Sequence, residues 1–146
     1  MIIKKVSFDF DCTLSEPHIQ LYAEELVSNG FEIWIVTARY DKQHVIENWH
    51  TTEESAEKAN QDLFEVANRL GIPNERIIFM NMDDKWNFFK DKDFVWHLDD
   101  DWRENKMILK HTKTKAINSW GNSSWKQKCE RILNKNKIVN ESKVCK

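Results

Sequence analysis

At 146 residues the chain can bury one hydrophobic core but has little room for two domains of ordinary size. Its 40% hydrophobic and 32% charged content excludes a disordered chain, and apolar runs no longer than a strand exclude a membrane-spanning helix. The net charge of -2 conceals a division: residues 1–102 carry 21 acids against 10 Lys or Arg, whereas residues 103–146 carry 12 Lys or Arg against 3 acids.

The elements follow in chain order. Residues 2 to 10 read as a buried strand that ends in Asp9-Phe10-Asp11-Cys12-Thr13-Leu14. Ser15 to Pro17 supply a helix start with Pro in the first turn, and Ile19, Tyr22, Ala23, Leu26 and Val27 fall on one helical face before Gly30 stops the run. A second strand spans residues 31 to 37 and ends in Thr37. Thr51 to Glu54 has capping-box spacing, and Ala56, Ala59, Leu63, Ala67 and Leu70 make one stripe that stops at Gly71 and Pro73. Arg76 to Met80 is expected as the third strand and residues 94 to 98 as the fourth. A weaker strand is expected near Ala116 and Ile117, then a final helix with Trp125, Cys129 and Ile132 on its apolar face. Strands alternating with helices predict a three-layer α/β sandwich around a mostly parallel, Rossmann-like sheet. The chain is expected to be a single domain over residues 1–146, with 120–146 a basic C-terminal helix and tail.

In such sheets ligands bind beyond the carboxyl ends of the strands, so Asp9 and Asp11 stand where chemistry is usually done. Two carboxylates two residues apart suit a division between attack or metal binding and proton transfer, although two Asp at a strand end also serve as plain turn formers. The ordered set is more specific. Asp9-Phe10-Asp11-Cys12-Thr13-Leu14, Thr37 at the end of Phe31-Glu32-Ile33-Trp34-Ile35-Val36-Thr37, Lys85, and Phe94-Val95-Trp96-His97-Leu98-Asp99-Asp100-Asp101 resemble, in order, the four motifs of the haloacid dehalogenase superfamily of phosphohydrolases. Cys12 stands where that family commonly has Gly.

The resemblance implies a Mg²⁺-dependent phosphatase that hydrolyses a phosphate monoester through an aspartyl-phosphate intermediate. It assigns Asp9 as nucleophile and metal ligand, and Asp11 as the acid and base whose backbone carbonyl also meets the metal. Thr37, with Ala38 and Arg39 beside it, would contact the phosphoryl group or further substrate. Lys85 would stabilise the transferring charge, and Lys90 and Lys92 are nearby alternatives for that role. Of the acidic run, Asp100 is favoured as the direct metal ligand with Asp99 beside it, and Asp101 outside the coordination shell. His44, Trp49 and His50 are expected at the rim, where Trp49 either packs or stacks on a base, with packing favoured. His97 is expected as a structural histidine within the fourth strand.

The intervals between motifs leave room for one helix between Asp11 and Thr37, and for a helix and a short excursion over residues 40–75, so the site is expected to be nearly uncapped. An open site admits bulky substrates. The resemblance therefore leans toward a phosphorylated nucleotide, a polynucleotide end or a macromolecule, and Thr37-Ala38-Arg39 with Asp99-Asp100 is similar to polynucleotide 3′-phosphatase domains at the level of short motifs. The basic segment from residue 103 onward could draw in such a polyanion or form a solvated helix face, and it spells out no recognisable binding module. Rival readings are a small metal-dependent nuclease or phosphodiesterase, which has no need of Thr37 and Lys85, and a phospho-receiver domain, in which the paired acids precede the phosphorylated Asp. Lys4 and Lys5 interrupt any apolar leader. Cys12, Cys129 and Cys145 match neither a disulfide framework nor a zinc pattern, so a cytoplasmic setting is expected, with no membrane partner.

Overall fold

The computed structural model describes residues 2–144, with side chains described through residue 135. Five strands, β1 (Lys5–Phe8), β2 (Glu32–Thr37), β3 (Ile77–Phe79), β4 (Trp96–Asp99) and β5 (Lys115–Asn118), form one sheet in the order β3-β2-β1-β4-β5. All four pairings are parallel. The chain winds from β1 outward to one edge and then returns to build the other, so the switch in strand order lies between β1 and β4. Parallel neighbours need crossovers, and the helices that provide them cover both faces.

Strand alternation decides what each face buries. Val6 and Phe8 of β1, Ile33 and Ile35 of β2, Trp96 and Leu98 of β4 and Ile117 of β5 join one core. Helices α1 (Pro17–Ser28), α4 (Gln61–Leu70) and α7 (Trp125–Val144) close that face with Ile19, Tyr22, Leu26, Leu63, Ala67, Cys129 and Leu133. Trp96 fills its centre, edge-on to Phe8 at 5.4 Å and stacked with Tyr22 at 6.3 Å. Each such aromatic pair adds about 0.5–1.5 kcal/mol beyond the area buried. The opposite face packs Val36, Phe89, Phe94 and Ile108 together with Trp34, Trp86 and Phe88. It is covered by α5 (Trp86–Phe89) and α6 (Trp102–His111), which gives three layers. Among the described residues no helix is long and apolar enough to cross a membrane.

Several expectations shift for physical reasons. The first strand is shorter than residues 2 to 10, because β2 begins opposite Lys5 and Ile2 and Ile3 have no neighbour to bury them. Val27 ends its helical stripe exposed. Gly30, at φ 86°, takes the left-handed turn after α1 that lets Phe31 bond back to Leu26. The single helix expected after Thr51 is two helices, α3 (Glu53–Ala59) and α4, which meet at buried Asn60. Its cap is Thr52, which accepts from the Ser55 N–H, one residue later than the expected spacing. A further helix, α2 (Lys42–Trp49), capped by Asp41, precedes them. Residues 40–75 therefore carry two short helices before the crossover helix α4, more than the helix and short excursion expected. Cys145 lies outside the described residues.

Candidate functional site

At the carboxyl end of β1 the chain leaves the sheet through a single wide turn, Phe10–Leu14, closed by bonds from Leu14 N–H to the Asp9 carbonyl and from Ser15 N–H to that of Phe10. Cys12 sits in this turn at φ 58°, the left-handed region where glycine is the unstrained choice. Its backbone N–H is satisfied by the Ser15 hydroxyl. The turn sends neighbouring acids to different places. Asp9 is buried beside β4, its N–H bonded to the Leu98 carbonyl, whereas the Asp11 side chain is largely exposed.

Lys85 forms the N-terminal edge of α5 and is buried, at 2% exposure. Its ammonium donates to Asp9 Oδ1 at 2.8 Å and to Asp99 Oδ2 at 2.6 Å. The same Asp99 oxygen meets His97 Nε2 at 2.8 Å, and the Asp101 N–H donates to Asp99 Oδ1. Behind His97, Ser7 Oγ lies 2.8 Å from Nδ1. Ser7, His97 and Asp99 share one face of the sheet by strand alternation, so β1 and β4 form a polar column within an otherwise apolar layer. Burial pushes the His97 pKa down, so the ring is neutral. A neutral ring that donates from Nε2 to Asp99 accepts the Ser7 hydroxyl at Nδ1, and every member of the column is satisfied.

Burial opposes ionisation of Asp99, but the bonds from His97 and the charge of Lys85 win and hold its carboxyl well below the usual range. Asp9 goes the other way. Burial raises its pKa, the Asp99 charge raises it further, and Lys85 offsets only part of this. Lys85 is itself disfavoured by burial, yet the two carboxylates raise its pKa and keep it charged. Ligand oxygens of Asp9, Asp99 and Asp100 lie within 4.8 Å of one another. Three carboxylates thus face one ammonium, an arrangement short of positive charge when all are ionised and able to hold a metal ion. Asp101 is not in this cluster. It caps α6, its Oδ1 accepting from the N–H groups of Arg103 and Glu104. Glu104 accepts from the Lys85 N–H, so α6 also orients the lysine backbone.

Thr37 ends β2 beside the cluster, since Phe8 pairs with Ile35 in register. Its hydroxyl is buried and accepts from the Arg39 N–H at 3.2 Å, and the Ala38 carbonyl accepts from Met82. Arg39 does not open a helix. Its guanidinium lies over the Phe10 ring and grips both oxygens of Asp11, at 2.9 and 2.8 Å, and both oxygens of Asp62, at 2.8 and 2.9 Å. Asp62 and its neighbour Asn60 belong to the start of α4 and were not among the candidates. The helix break that brings them to Arg39 left no signal beyond a polar Asn-Gln-Asp step inside an apolar stripe. Lys90 and Lys92, the alternatives to Lys85, make no bond to the acidic cluster. At the rim His44 stacks on Tyr40 at 4.4 Å and Trp49, which stays exposed, meets Tyr40 edge-on.

Fold and site together define a parallel α/β protein with a lysine-bridged acidic cluster at the carboxyl edge of its sheet. Comparison with known proteins identifies no relative: no protein-family model, curated protein or solved structure matches the chain.

Proposed function

We propose that the chain is a Mg²⁺-dependent phosphatase acting on phosphate monoesters through a covalent phosphoryl intermediate on Asp9. The observation that carries the reading is the buried ammonium of Lys85 held between Asp9 and Asp99, with Asp100 alongside. A nucleophilic carboxylate must meet a dianionic phosphate, and that approach needs fixed positive charge. Lys85 supplies one unit, on a side chain that cannot wander. Asp100 and Asp9 would hold the cation, whose chemistry is to neutralise phosphoryl oxygens and favour the ionised form of Asp9. Asp99, with both oxygens already engaged by Lys85, His97 and Asp101, orients the lysine rather than serving as the free ligand. Hard carboxylate oxygens suit Mg²⁺ better than a soft metal.

An Asp9 oxygen attacks phosphorus as the ester oxygen departs with a proton from Asp11. Water then attacks the phosphorus of the aspartyl phosphate, gives its proton to Asp11, and inorganic phosphate leaves. The Thr37 hydroxyl stands at the neighbouring strand end to receive a phosphoryl oxygen. For the proton steps Asp11 has to exchange its two bonds to Arg39 for substrate. An incoming anion makes that exchange favourable, because it offers the guanidinium a replacement partner.

Hydrolysis of an aryl phosphate should require added Mg²⁺ and cease with excess chelator. Undiminished phosphate release in chelator would refute the metal assignment, and cleavage of internal bonds in an oligonucleotide without phosphate release would favour the nuclease alternative. Asp11→Asn gives a second test. Alkyl phosphate hydrolysis should fall by about a hundredfold or more, the first step on an aryl phosphate should fall less because its leaving group barely needs a proton, and trapped phosphoenzyme should live longer. Equal losses on both esters with an unchanged intermediate lifetime would remove Asp11 from proton transfer.

A further inference from the structure

We infer that the groove between α6 and the edge strand β5 is a binding track for single-stranded nucleic acid, which it leads to the acidic cluster. This deepens the phosphatase reading and rests on it for the fate of the bound end, though not for the binding itself. The groove encloses about 540 Å³ and is lined by Trp102, Asn105, Lys106, Leu109, Lys110 and Asn118, with Ala116 at its floor. Trp102, Lys106, Leu109 and Lys110 recur at helical spacing, so one stripe of α6 presents alternating ring, charge and apolar surface along about 15 Å.

Three observations identify the occupant. Trp102 is 59% exposed, and Trp120, just beyond β5, is 76% exposed, two large rings that the fold leaves uncovered. Both are tied to the candidate site. Trp102 follows the Asp99-Asp100-Asp101 run, and Trp120 follows Ser119, whose N–H donates to the Asp99 carbonyl and whose hydroxyl meets Thr13 at 3.1 Å. Asn118, at the mouth of the groove, is the register partner of Asp99. Finally, among the described residues Lys106, Lys110, Lys113 and Lys115 form no ion pair, while Glu104, the one acid of α6, turns inward to the Lys85 backbone. Exposed aromatic faces beside unpaired cations match a strand of stacked bases with a phosphate backbone. A protein partner is disfavoured on the same ground, because the centres of protein interfaces are depleted in lysine.

The test is fluorescence anisotropy of a short labelled thymidine oligonucleotide with wild type, Trp102→Ala and the double variant Lys106→Glu/Lys110→Glu, in Mg²⁺, alongside phosphate release from an aryl phosphate. Trp102→Ala should weaken oligonucleotide binding by roughly tenfold. The double variant should weaken it more and flatten the dependence of log affinity on log salt by about one unit. Aryl phosphate hydrolysis should be unchanged in both, since neither site touches the acidic cluster. Phosphate release from oligonucleotides phosphorylated at the 3′ or the 5′ end should then fall in proportion to affinity. If aryl phosphate hydrolysis is absent even in wild type, the phosphatase reading fails, and the anisotropy series still decides the groove, with circular dichroism confirming the fold. Affinities within about twofold of wild type in both variants would overturn the inference. So would a wild-type dimer, seen by sedimentation without oligonucleotide, that Trp102→Ala or Leu109→Ala dissolves, because the occupant would then be a second copy of the chain.

Discussion

Asp9→Asn should abolish turnover, with phosphate release at least about a hundredfold below wild type, while leaving the fold in place. The amide is nearly the shape of the carboxylate, so the wide turn after β1 keeps its backbone bonds to Leu14 and Leu98. It cannot, however, form an acyl phosphate, and it is a poor ligand for a hard cation. Two effects on stability oppose each other. The substitution takes one acceptor from Lys85, but it also removes a buried carboxyl whose ionisation the fold disfavours and whose charge repels Asp99. The net change should be small, on the order of 1 kcal/mol. Phosphate release and a thermal melt on the same preparation check both halves. A well-folded variant that keeps more than about a hundredth of the wild-type rate would show that Asp9 is not the nucleophile.

The parts of this molecule legible in the sequence are those fixed by local pattern. Buried parallel strands read as apolar runs, so β1, β2 and β4 were visible, and Gly30, Gly71 and Pro17 marked helix ends where the structure has them. The end of β1 showed Asp9, and the end of β4 showed Asp99 and Asp100, because a strand's last side chains are placed by the strand itself. Lys85 was legible as the start of a helix leading into β4, and that is where it lies.

Long-range chemistry was not legible. Nothing local marks Asp62 as the second anchor of Arg39, since the two meet only because α3 and α4 break at Asn60 and Asn60 bonds the Tyr40 carbonyl. The polar column from Ser7 through His97 to Asp99 depends on the register of β1 against β4, which a single sequence does not reveal. Helix α6 was hidden for a different reason. It buries chiefly Asn105 and Ile108, so its apolar period is weak, and its capping residue, Asp101, reads as one more acid of the metal run. The exposed stripe along α6 was invisible for the same reason, although the basic charge of the segment from residue 103 onward was plain.

Lys85→Met should destabilise the protein by about 3–5 kcal/mol at neutral pH, the usual cost of removing one partner of a buried ion pair. Methionine fills the volume and cannot bridge Asp9 and Asp99, so the two carboxylates face each other with only His97 and backbone N–H groups nearby. The pH dependence identifies the cause. The Asp9 pKa is already raised in the folded state, and loss of the ammonium raises it further. A group that binds its proton more tightly when folded penalises the folded state above that pKa, and the penalty is relieved as pH falls through it. Asp99, held below its usual range, has the opposite sign: its contribution is present above the unfolded-state pKa and is lost only in stronger acid. The stability gap between wild type and Lys85→Met should therefore narrow between about pH 8 and about pH 5 as the variant's Asp9 takes up a proton. Mg²⁺ should narrow it as well, because a cation bound by Asp9 and Asp100 stabilises the folded state by mass action and replaces part of the lost charge. Denaturant midpoints for both proteins across that pH range, with and without Mg²⁺, measure the gap. A gap that stays constant with pH would mean that Lys85 contributes packing rather than charge. The acidic cluster would then lack the electrostatic logic on which the phosphatase reading depends.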